Sequence, residues 1–469
     1  MSCRSGLRQR SWWQRRLWFL KGSQAEESRL ETAPTQVRGA GNSQGLWPHR
    51  GIVPGRRSYK KNKPFVQFVA GLAASRTRAP RPRYNDPTMR VVVNGWFLVH
   101  NPHTGTGQYL RALLQWLPKV APQHEYHVVA PAGGGGAAPE PGAGYQLHPA
   151  PSGAGNWAKL WFEQVTFPRA GRRLRADVVH VPHWAPPLRS HAPIVVTVHD
   201  IIPALLPAYR GRLFVRLYTA LVSAATAGAA RVLADSDASA KDIQEHLHIP
   251  AERVRTIYLA ADPRYSPRGD WRVDDPIRAK YGLGEGYVLY LGGFDIRKNV
   301  RGLLSAWTWA ANSIGQGYPL VIGGQLPQPD GVFFEDYPAL AAELDIADTV
   351  KFIGQVDEAD KPALFRGATA FAYPSRYEGF GLPPLEAMAS GVPVVASTGG
   401  SLPEVMGSAG YLIPPDDTRT MGAAILTIVV EPSVYEDLRK RSLAQAQNFS
   451  WEKTARETAA AYEEVVGKR

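Results

Sequence analysis

The stretch from Tyr373 to Val395 reads Tyr-Pro-Ser-Arg-Tyr-Glu-Gly-Phe-Gly-Leu-Pro-Pro-Leu-Glu-Ala-Met-Ala-Ser-Gly-Val-Pro-Val-Val. It starts at the end of an apolar run and passes through a glycine loop. It then continues into a segment of helix-favouring residues, and the predicted helix ends at Gly391. Pro383 or Pro384 suits a first helical turn, where a missing N–H costs nothing. The stretch therefore predicts a strand, a loop and a helix in series.

The same alternation extends over the chain from residue 89 onward, with short runs rich in valine and isoleucine between helical stretches. The predicted strands are 89–96, 126–131, 177–182, 194–199, 231–235, 254–259, 287–292, 319–323, 350–354, 369–373 and 392–396. The predicted helices are 107–118, 208–228, 300–311, 359–367 and 384–390. Such alternation is typical of parallel sheets covered by helices. We expect an α/β protein with two Rossmann-like, doubly wound domains that face a cleft.

Composition divides the chain into five segments. Residues 1–88 are basic and rich in Arg, Gly, Ser and Pro without a helix or strand period, which predicts a disordered extension. The first Rossmann-like domain covers 89–262 and the second 287–448. Residues 263–286 carry three prolines and several charges, so we place the interdomain connection there. A terminal helix is predicted over 449–469.

The formal net charge of +13 resides in the extension, where 18 Lys and Arg stand against 4 Asp and Glu. The remaining residues hold 36 against 37, so no nucleic-acid partner is expected for the folded part. Because the first apolar strand begins directly at Met89, we hypothesise that Met89 is the natural start. The alternative is a real basic arm that contacts anionic lipid or nucleic acid.

Cys3 is the only cysteine and lies in the extension, so the folded part has neither disulfides nor a thiolate metal site. This composition fits a reducing cytoplasm. No apolar run approaches the roughly 20 residues of a membrane span. Membrane contact is therefore expected to be peripheral, on the inner face, if it occurs.

The loop Gly379-Phe-Gly381 precedes a helix and is framed by two carboxylates, Glu378 and Glu386. Unpaired amides at the positive end of a helix can hold a phosphate or a sugar oxygen. Carboxylates accept hydrogen bonds from pairs of hydroxyl groups. Alone, each glutamate could be a helix or loop acid; around this loop, they indicate a polyol site.

Arg297 and Lys298 lie at a second strand-to-helix turn, with Asn299 as the expected N-cap. Cations there would meet a diphosphate, whose negative charge grows as it leaves. The alternative is that both are solvated surface cations.

These motifs resemble family 4 of the retaining glycosyltransferases, which have the GT-B fold and two donor-site glutamates separated by seven residues. The resemblance covers most of residues 89–469. It implies that Glu378 binds hexose hydroxyls and Glu386 the ribose hydroxyls of a nucleotide sugar. It implies that Arg297 and Lys298 bind the diphosphate, and that the loop amides bind sugar and phosphate; these belong to Gly379, Phe380, Gly381 and Leu382. Where many members place an arginine, this chain has Gly293.

The first domain carries fewer signals. Gly105 and Gly107 open a helix after the first strand, where the resemblance implies an acceptor-side or phosphate loop. His199 and Asp200 end a predicted strand at the ligand edge. By resemblance, His199 contacts the donor sugar rather than acting as a base, and it joins Glu378 and Lys298 as the catalytic set.

Two further features of this domain remain to be weighed. His183 and Trp184 either border the acceptor or serve only in packing. Asp235-Ser-Asp237 matches a manganese-binding pattern, but it lies before a helix, where Asp and Ser serve as caps, so we expect no metal.

The expected activity is the transfer of a hexose from a GDP- or UDP-sugar to a glycan, lipid-linked or small-molecule acceptor. No other cofactor is expected, and retention at the anomeric carbon is implied by the resemblance. The residues around His199 and Arg297 favour mannosyltransferases of polysaccharide assembly. The terminal helix would cross back to the first domain, as in the family. Alternatives are an epimerase or phosphorylase on this fold, a dehydrogenase, which the missing Gly-x-Gly-x-x-Gly disfavours, and a binding protein without catalysis.

Overall fold

The computed structural model describes residues 88–132, 144–153, 155–211, 213–330 and 333–467. Within these ranges, the strands form two all-parallel sheets, one of seven strands and one of six. Most successive strands of a sheet are connected through helices. The predicted α/β class with two Rossmann-like sheets is confirmed. The predicted extension lies outside the described residues, apart from Thr88.

The first sheet and its helices form the first lobe. Its strands are β1 (Arg90–Asn94), β2 (Glu125–Pro131), β3 (Tyr145–Ala150), β4 (Val178–Val181), β5 (Ile194–Val198), β6 (Arg231–Ala234) and β7 (Val254–Thr256). Its helices are α1 (Trp96–Val99), α2 (Gly105–Val120), α3 (Gly155–Trp161), α4 (Phe167–Arg173), α5 (Ile202–Leu205), α6 (Leu213–Ala227) and α7 (Asp237–Leu247). The strand order is β3-β2-β1-β4-β5-β6-β7. The order reverses between β1 and β4, so the loops after these strands border a crevice.

The second sheet and its helices form the second lobe. Its strands are β8 (Val288–Leu291), β9 (Leu320–Gly323), β10 (Val350–Gly354), β11 (Ala370–Tyr373), β12 (Val394–Ser397) and β13 (Gly410–Ile413). The helices that follow β7 are α8 (Trp271–Lys280), α9 (Val300–Trp307), α10 (Ala311–Ile314), α11 (Tyr337–Glu343), α12 (Lys361–Gly367), α13 (Leu382–Ala389), α14 (Leu402–Met406), α15 (Thr418–Val430), α16 (Pro432–Ala446) and α17 (Trp451–Gly467). The strand order is β10-β9-β8-β11-β12-β13, with the reversal between β8 and β11. None of the helices in the described ranges is both long and apolar enough to cross a bilayer.

The central strands are buried on both faces, which explains their uninterrupted apolar sequence. Val92 and Val93 of β1, and Val394 and Val395 of β12, are fully buried. Successive side chains of a strand point to opposite faces, so neighbouring valines can both be buried only if helices cover each face.

Two edge strands, β3 and β13, and a charged helix escaped the sequence prediction. β3 is only partly buried and contains Pro149, which an edge strand tolerates because one side needs no ladder bonds. β13 is likewise an edge strand. The predicted helix over 208–228 is divided, because Gly211 takes a positive φ of 59° between a 3₁₀ turn and α6.

The stretch assigned to the interdomain connection contains α8, a helix held by ion pairs rather than by an apolar face. Asp274 is buried and accepts two hydrogen bonds from Arg366 of α12, at 2.7 and 2.6 Å. Arg278 is buried beside Asp275 and Glu285. Because polar residues supply these contacts, the helix has little apolar periodicity for sequence reasoning to detect.

The last helix, α17, packs against α2 and β4 of the first lobe. The ring of Trp451 lies 6.2 Å from that of Tyr109, and the hydroxyl of Tyr462 is 2.7 Å from Nδ1 of His180. His180 is fully buried on β4, and burial, with smaller effects of His183 and His199, lowers its pKa to about 3. The ring is therefore neutral and accepts one hydrogen bond.

Replacing Tyr462 by phenylalanine should lower the free energy of unfolding by about 1–3 kcal/mol, because a buried ring nitrogen loses its partner. Urea titration monitored by circular dichroism measures the change. The exposed Lys453 of the same helix provides the control, since Lys453→Ala should stay within about 0.5 kcal/mol of the original chain. Equal stability of both variants would contradict the assigned role of the hydrogen bond.

Candidate active site

The second sheet brings two candidate loops together at its reversal point. β8 and β11 are neighbours, with Val288 paired to Ala370. The loop after β8 carries Arg297 and Lys298, and the loop after β11 carries Glu378. Nζ of Lys298 lies 2.7 Å from Oε1 of Glu378, and Nη1 of Arg297 lies 2.9 Å from the same oxygen. Three residues that were selected on sequence therefore form one cluster.

This cluster is an ionised carboxylate held between two cations. Burial raises the pKa of Glu378, but Lys298 and Arg297 outweigh it and bring the pKa below its usual range. Burial lowers the pKa of Lys298, and Glu378 opposes that shift. Lys298 also bonds the hydroxyl of Tyr373 at 2.7 Å, which uses two of its three donors. Nε of Arg297 makes no hydrogen bond and lies 3.6 Å from Oδ1 of Asp295, so a second carboxylate borders the cluster.

Asn299 joins the two loops but does not cap α9 with its side chain. Its backbone is left-handed, with φ 56°, and its amide donates to the carbonyls of Pro374 at 3.2 Å and Pro415 at 2.9 Å. Asn299 takes the predicted N-cap position of α9, but its side-chain amide is directed towards the β11 loop instead of the helix. Asn299 thereby holds the turn with Arg297 and Lys298 close to the loop of Glu378.

The glycine loop makes a close backbone contact with the first lobe. The carbonyl of Gly379 accepts hydrogen bonds from the hydroxyls of Ser236 at 2.6 Å and Ser239 at 3.0 Å, both in the first lobe. A Cβ atom on Gly379 would lie 2.1 Å from the carbonyl oxygen of His199. Only glycine allows this approach.

The rest of the loop leads into α13. Gly381 has a φ of 110° and takes the N-cap position, and Leu382 begins the helix, with Pro383 in the first turn as predicted. Phe380 is buried between Tyr258 and Phe449, with ring centroids 6.3 and 5.9 Å away. The side chain of Phe380 therefore packs within the protein, and only its backbone can serve the site.

Glu386 occupies a different environment in the middle of α13. It is 6% exposed, and burial raises its pKa to about 7, while Lys361 lowers it and Glu358 raises it further. Arg264 approaches from the chain before α8 and pairs with Glu358 at 3.2 Å. Tyr265 lies close by, and its hydroxyl lowers the pKa of Glu386. The sequence reasoning missed these neighbours, because none belongs to a local motif.

His199 and Asp200 follow β5, at the side of the first lobe that meets the glycine loop. Nδ1 of His199 lies 2.6 Å from Oδ2 of Asp235, and Nε2 lies 3.1 Å from the carbonyl oxygen of Pro182. Asp200 accepts the amide of Ile202 at 3.0 Å. Burial raises the pKa of Asp200, and Arg297 of the second lobe lowers it. Asp200 therefore senses the charge of the opposite lobe.

Asp235 has a different role from the cap that the sequence suggested. Ser236 caps α7 by accepting the amide of Ser239 at 3.0 Å, while Asp235 binds His199. Asp237 accepts hydrogen bonds from Thr256 and Tyr258. The two aspartates thus serve separate partners, and the described residues contain no group of three His, Cys, Asp or Glu side chains suited to a metal.

The predicted loop of the first lobe divides into two parts. Gly105 is exposed, and a Cβ atom there would meet only Leu382 of the second lobe, at 3.9 Å. Gly107 is buried, and its Cβ atom would lie 2.4 Å from the carbonyl oxygen of Pro102. Gly105 therefore faces the opposite lobe, while Gly107 permits the turn before α2. His183 is buried and bonds Glu163 at 3.2 Å, which favours packing over acceptor contact.

Comparison with known proteins agrees with this architecture. Residues 273–445 match the family model described as glycosyl transferases group 1, and residues 103–265 match glycosyltransferase family 4. The O-antigen chain mannosyltransferase B of Escherichia coli is 37% identical over 286 residues, which cover 61% of this chain and 74% of that protein. The MMP alpha-(1->4)-mannosyltransferase of Mycolicibacterium hassiacum is 31% identical over 50% of this chain and 54% of that protein. Sucrose-phosphate synthase from Thermosynechococcus elongatus superposes with a TM-score of 0.65 at 20% identity, over 81% of this chain and all of that chain.

The two parallel sheets with facing strand-end loops define a GT-B protein. The chain belongs to glycosyltransferase family 4, and it is a glycosyltransferase. The resemblance to this family that the sequence motifs suggested is confirmed.

Burial of Glu386 should make the stability of the protein depend on pH. The pKa of Glu386 is raised from 4.5 to about 7. The contribution of this side chain to the free energy of unfolding is therefore fully present below about pH 4.5 and is lost as the pH rises through 7. The whole shift corresponds to about 3 kcal/mol. Glu386→Gln should remove this loss, which urea titrations between about pH 4 and 8 would measure. Glu343→Gln, at an exposed position, should retain it; identical pH dependence in Glu386→Gln and the original chain would refute the assignment.

Proposed function

We propose that the protein is a retaining mannosyltransferase, which moves mannose from a nucleoside diphosphate donor to a sugar acceptor of polysaccharide or lipid-linked type. The observation that carries the proposal is the cluster of Lys298, Arg297 and Glu378 beside the glycine loop. The relatives named as mannosyltransferases support the choice of sugar. GDP-mannose and UDP-hexoses are the donors to test first.

In this proposal the diphosphate lies against Lys298, Arg297 and the amides at the start of α13. Fixed positive groups stabilise the charge that develops on the leaving diphosphate, because they need no reorganisation during the reaction. Glu378 then exchanges part of its ion pairing for hydrogen bonds from mannose hydroxyls. Its lowered pKa keeps it an acceptor at neutral pH.

Glu386 is proposed to bind the ribose diol. Hydroxyl groups donate to the ionised carboxylate, so they replace the hydration that burial removed. Arg264 and Lys361 lower the pKa of Glu386 and therefore favour that ionised form. Because Glu386 has partners separate from those of Glu378, the loop after β11 can present Glu378 to the sugar while α13 presents Glu386 to the nucleoside.

Retention without a covalent enzyme intermediate requires the acceptor to attack the face of the anomeric carbon from which the diphosphate leaves. In the proposed step, the bond between the anomeric carbon and the phosphate oxygen breaks as the bond to the acceptor oxygen forms. The acceptor proton passes to the leaving diphosphate, so no protein base is required. The anomeric configuration of the product, read by NMR coupling constants, tests this step; an inverted product would refute it.

Lys298→Ala and Glu386→Ala should each lower kcat/KM for mannosyl transfer by about 100-fold or more, because each removes a charged donor ligand. Circular dichroism should show that both variants stay folded. Lys440→Ala, at an exposed position on α16, is the matched control and should keep full activity. Transfer is measured from a panel of nucleotide sugars with and without acceptor.

Two outcomes of that assay would contradict the proposal. Full transfer activity in both active-site variants would place the donor elsewhere. Conversion of the donor in the absence of any acceptor would instead support an epimerase on this fold.

A surface of the first lobe supports peripheral contact with a membrane. Its exposed apolar residues lie on α3 and α6 and are named here the apolar face: Trp157, Trp161, Leu213, Val215 and Leu217. Trp157 contacts Phe214 at a centroid distance of 5.3 Å, so the two helices form one surface. Exposed Arg172, Arg173 and Arg216 lie on α4 and α6. Apolar rings with a cation on the same helix, Arg216, match the interface of an anionic bilayer.

The double variant Trp157→Ser, Trp161→Ser should bind vesicles of phosphatidylcholine and phosphatidylglycerol about 10-fold or more weakly than the original chain. Vesicle sedimentation at physiological salt measures the binding. Trp309→Ser, which removes a tryptophan 53% exposed on the second lobe, is the control. All variants retain the basic extension, so a loss reports the apolar face alone. Unchanged binding by the double variant would refute this surface.

A further inference from the structure

His199 places both of its ring nitrogens against oxygen atoms; the carbonyl can only accept, and the carboxylate accepts when it is ionised. Nδ1 faces the carboxylate of Asp235 at 2.6 Å, and Nε2 faces the carbonyl of Pro182 at 3.1 Å. A neutral imidazole has one N–H and one lone pair, so it could satisfy only one of these contacts. With an ionised Asp235, both contacts are satisfied only when the ring carries two protons.

Register brings the two residues together. β5 and β6 are parallel neighbours, and Val198 at the end of one pairs with Ala234 at the end of the other. The next residue of each strand is His199 or Asp235, so their side chains leave the same edge of the sheet side by side. Asp235 is nearly fully buried, with 4% of its side chain exposed, whereas His199 keeps 20%. The ring therefore borders the cleft, and its counter-ion lies beneath it.

Hydrogen bonds within the first lobe hold the strand end that carries His199. Thr197 bonds His180 at 2.9 Å and Tyr109 at 3.0 Å. The ring of Tyr109 meets that of His199 edge to face, at a centroid distance of 5.0 Å. From the second lobe, the backbone of Gly379 approaches the carbonyl of His199. The ring is thus fixed on the side of the first lobe that touches the donor loop.

The charged groups around His199 act in opposite directions. Burial lowers its pKa, but Asp235, and to a lesser extent Asp200, outweigh burial and raise the pKa above its usual value. His180 and His183 of the neighbouring segment have lowered pKa values, chiefly from burial, so they add little positive charge. From the second lobe, Arg297 and Glu378 act on Asp200 and oppose each other. Asp235 is the dominant partner among these groups.

We propose that Asp235 is a positioning residue of the transferase, which holds His199 as a doubly protonated ring and thereby supplies a fixed positive charge on the first-lobe side of the donor loop. This inference rests on the proposed function, since the charge would act on the leaving diphosphate. His199 then has no lone pair with which to take a proton or accept a hydroxyl hydrogen. No bond forms or breaks at the ring.

The role predicts a pH effect that a merely structural aspartate would not produce. In Asp235→Asn, kcat at about pH 8 should fall about 10- to 100-fold, as is usual for the loss of an orienting partner, with a smaller fall near pH 6. The alkaline limb of the kcat profile should move to lower pH, while KM for the donor changes little. Asp235→Glu retains the carboxylate and should restore most of the activity at the higher pH.

Asp237→Asn is the matched control, because Asp237 lies two residues away and contacts Thr256 and Tyr258 instead. Its pH profile should match that of the original chain. Nitrogen-15 NMR of labelled histidine, with His199 assigned from the spectrum of His199→Gln, reads the protonation of the ring without any assay of activity. Two protons on His199 near neutral pH in the original chain are the expected result, as is the loss of one of them at a lower pH in Asp235→Asn than in the original chain.

The two levels of the argument fail separately. A neutral His199 in the original chain, or superimposable pH profiles for the original chain and Asp235→Asn, would overturn the positioning role while transfer persists. Absence of transfer from every nucleotide sugar, with His199 still doubly protonated, would overturn the proposed function and with it the catalytic use of the charge.

Discussion

The structure depends on the close contact between the backbone of Gly379 and the first lobe. The carbonyl of Gly379 accepts hydroxyl hydrogens from Ser236 and Ser239, and the position of a side chain is taken by the carbonyl of His199. Any larger residue would force the glycine loop away from β5. Glu378 directly precedes Gly379 in the chain. The distance between the lobes at this contact therefore affects where the cluster of Lys298, Arg297 and Glu378 lies.

Charge at the cleft is buried in pairs, and the pairing determines what each group can do. Glu378 is ionised because two cations face it, and Glu386 is close to half-protonated at neutral pH because burial dominates over its neighbours. Burying paired ions contributes little to stability compared with an apolar core of the same volume. A contribution to folding therefore does not explain their presence at the strand ends of both sheets, whereas the proposed ligand binding does.

The helices add the connections that hold this arrangement in place. α17 returns to the first lobe, where Tyr462 bonds His180 and Trp451 lies beside Tyr109. The cap of α7 is also shared between lobes, since the carboxylate of Glu404 accepts the amides of Asp237 and Ala238 at 2.8 and 3.0 Å. Helix ends leave amides without internal partners, so a carboxylate from the opposite lobe stabilises the contact directly.

Local order along the chain sufficed to predict the α/β class, the central strands and the loops that carry Arg297, Lys298 and Glu378. Each of these signals lies within a few residues of a strand end, and parallel strands bring their ends to one edge. Edge strands such as β3 escaped because one-sided pairing needs neither continuous apolar sequence nor freedom from proline. α8 escaped because ion pairs with distant residues replace its apolar face.

Only the tertiary structure decided which residues that are distant in sequence contact each other. Asp235 looked like a cap from its neighbours in sequence, yet the register of β5 and β6 sets it against His199. Likewise, Arg264 and Lys361 reach Glu386 only because the chain before α8 and the start of α12 converge on α13. Sequence alone determined which chemical groups stand at the strand ends, because that information is local. Which groups meet, and hence which carboxylates and rings carry charge, depended on strand register and lobe contact, because electrostatic interactions act between neighbours in space.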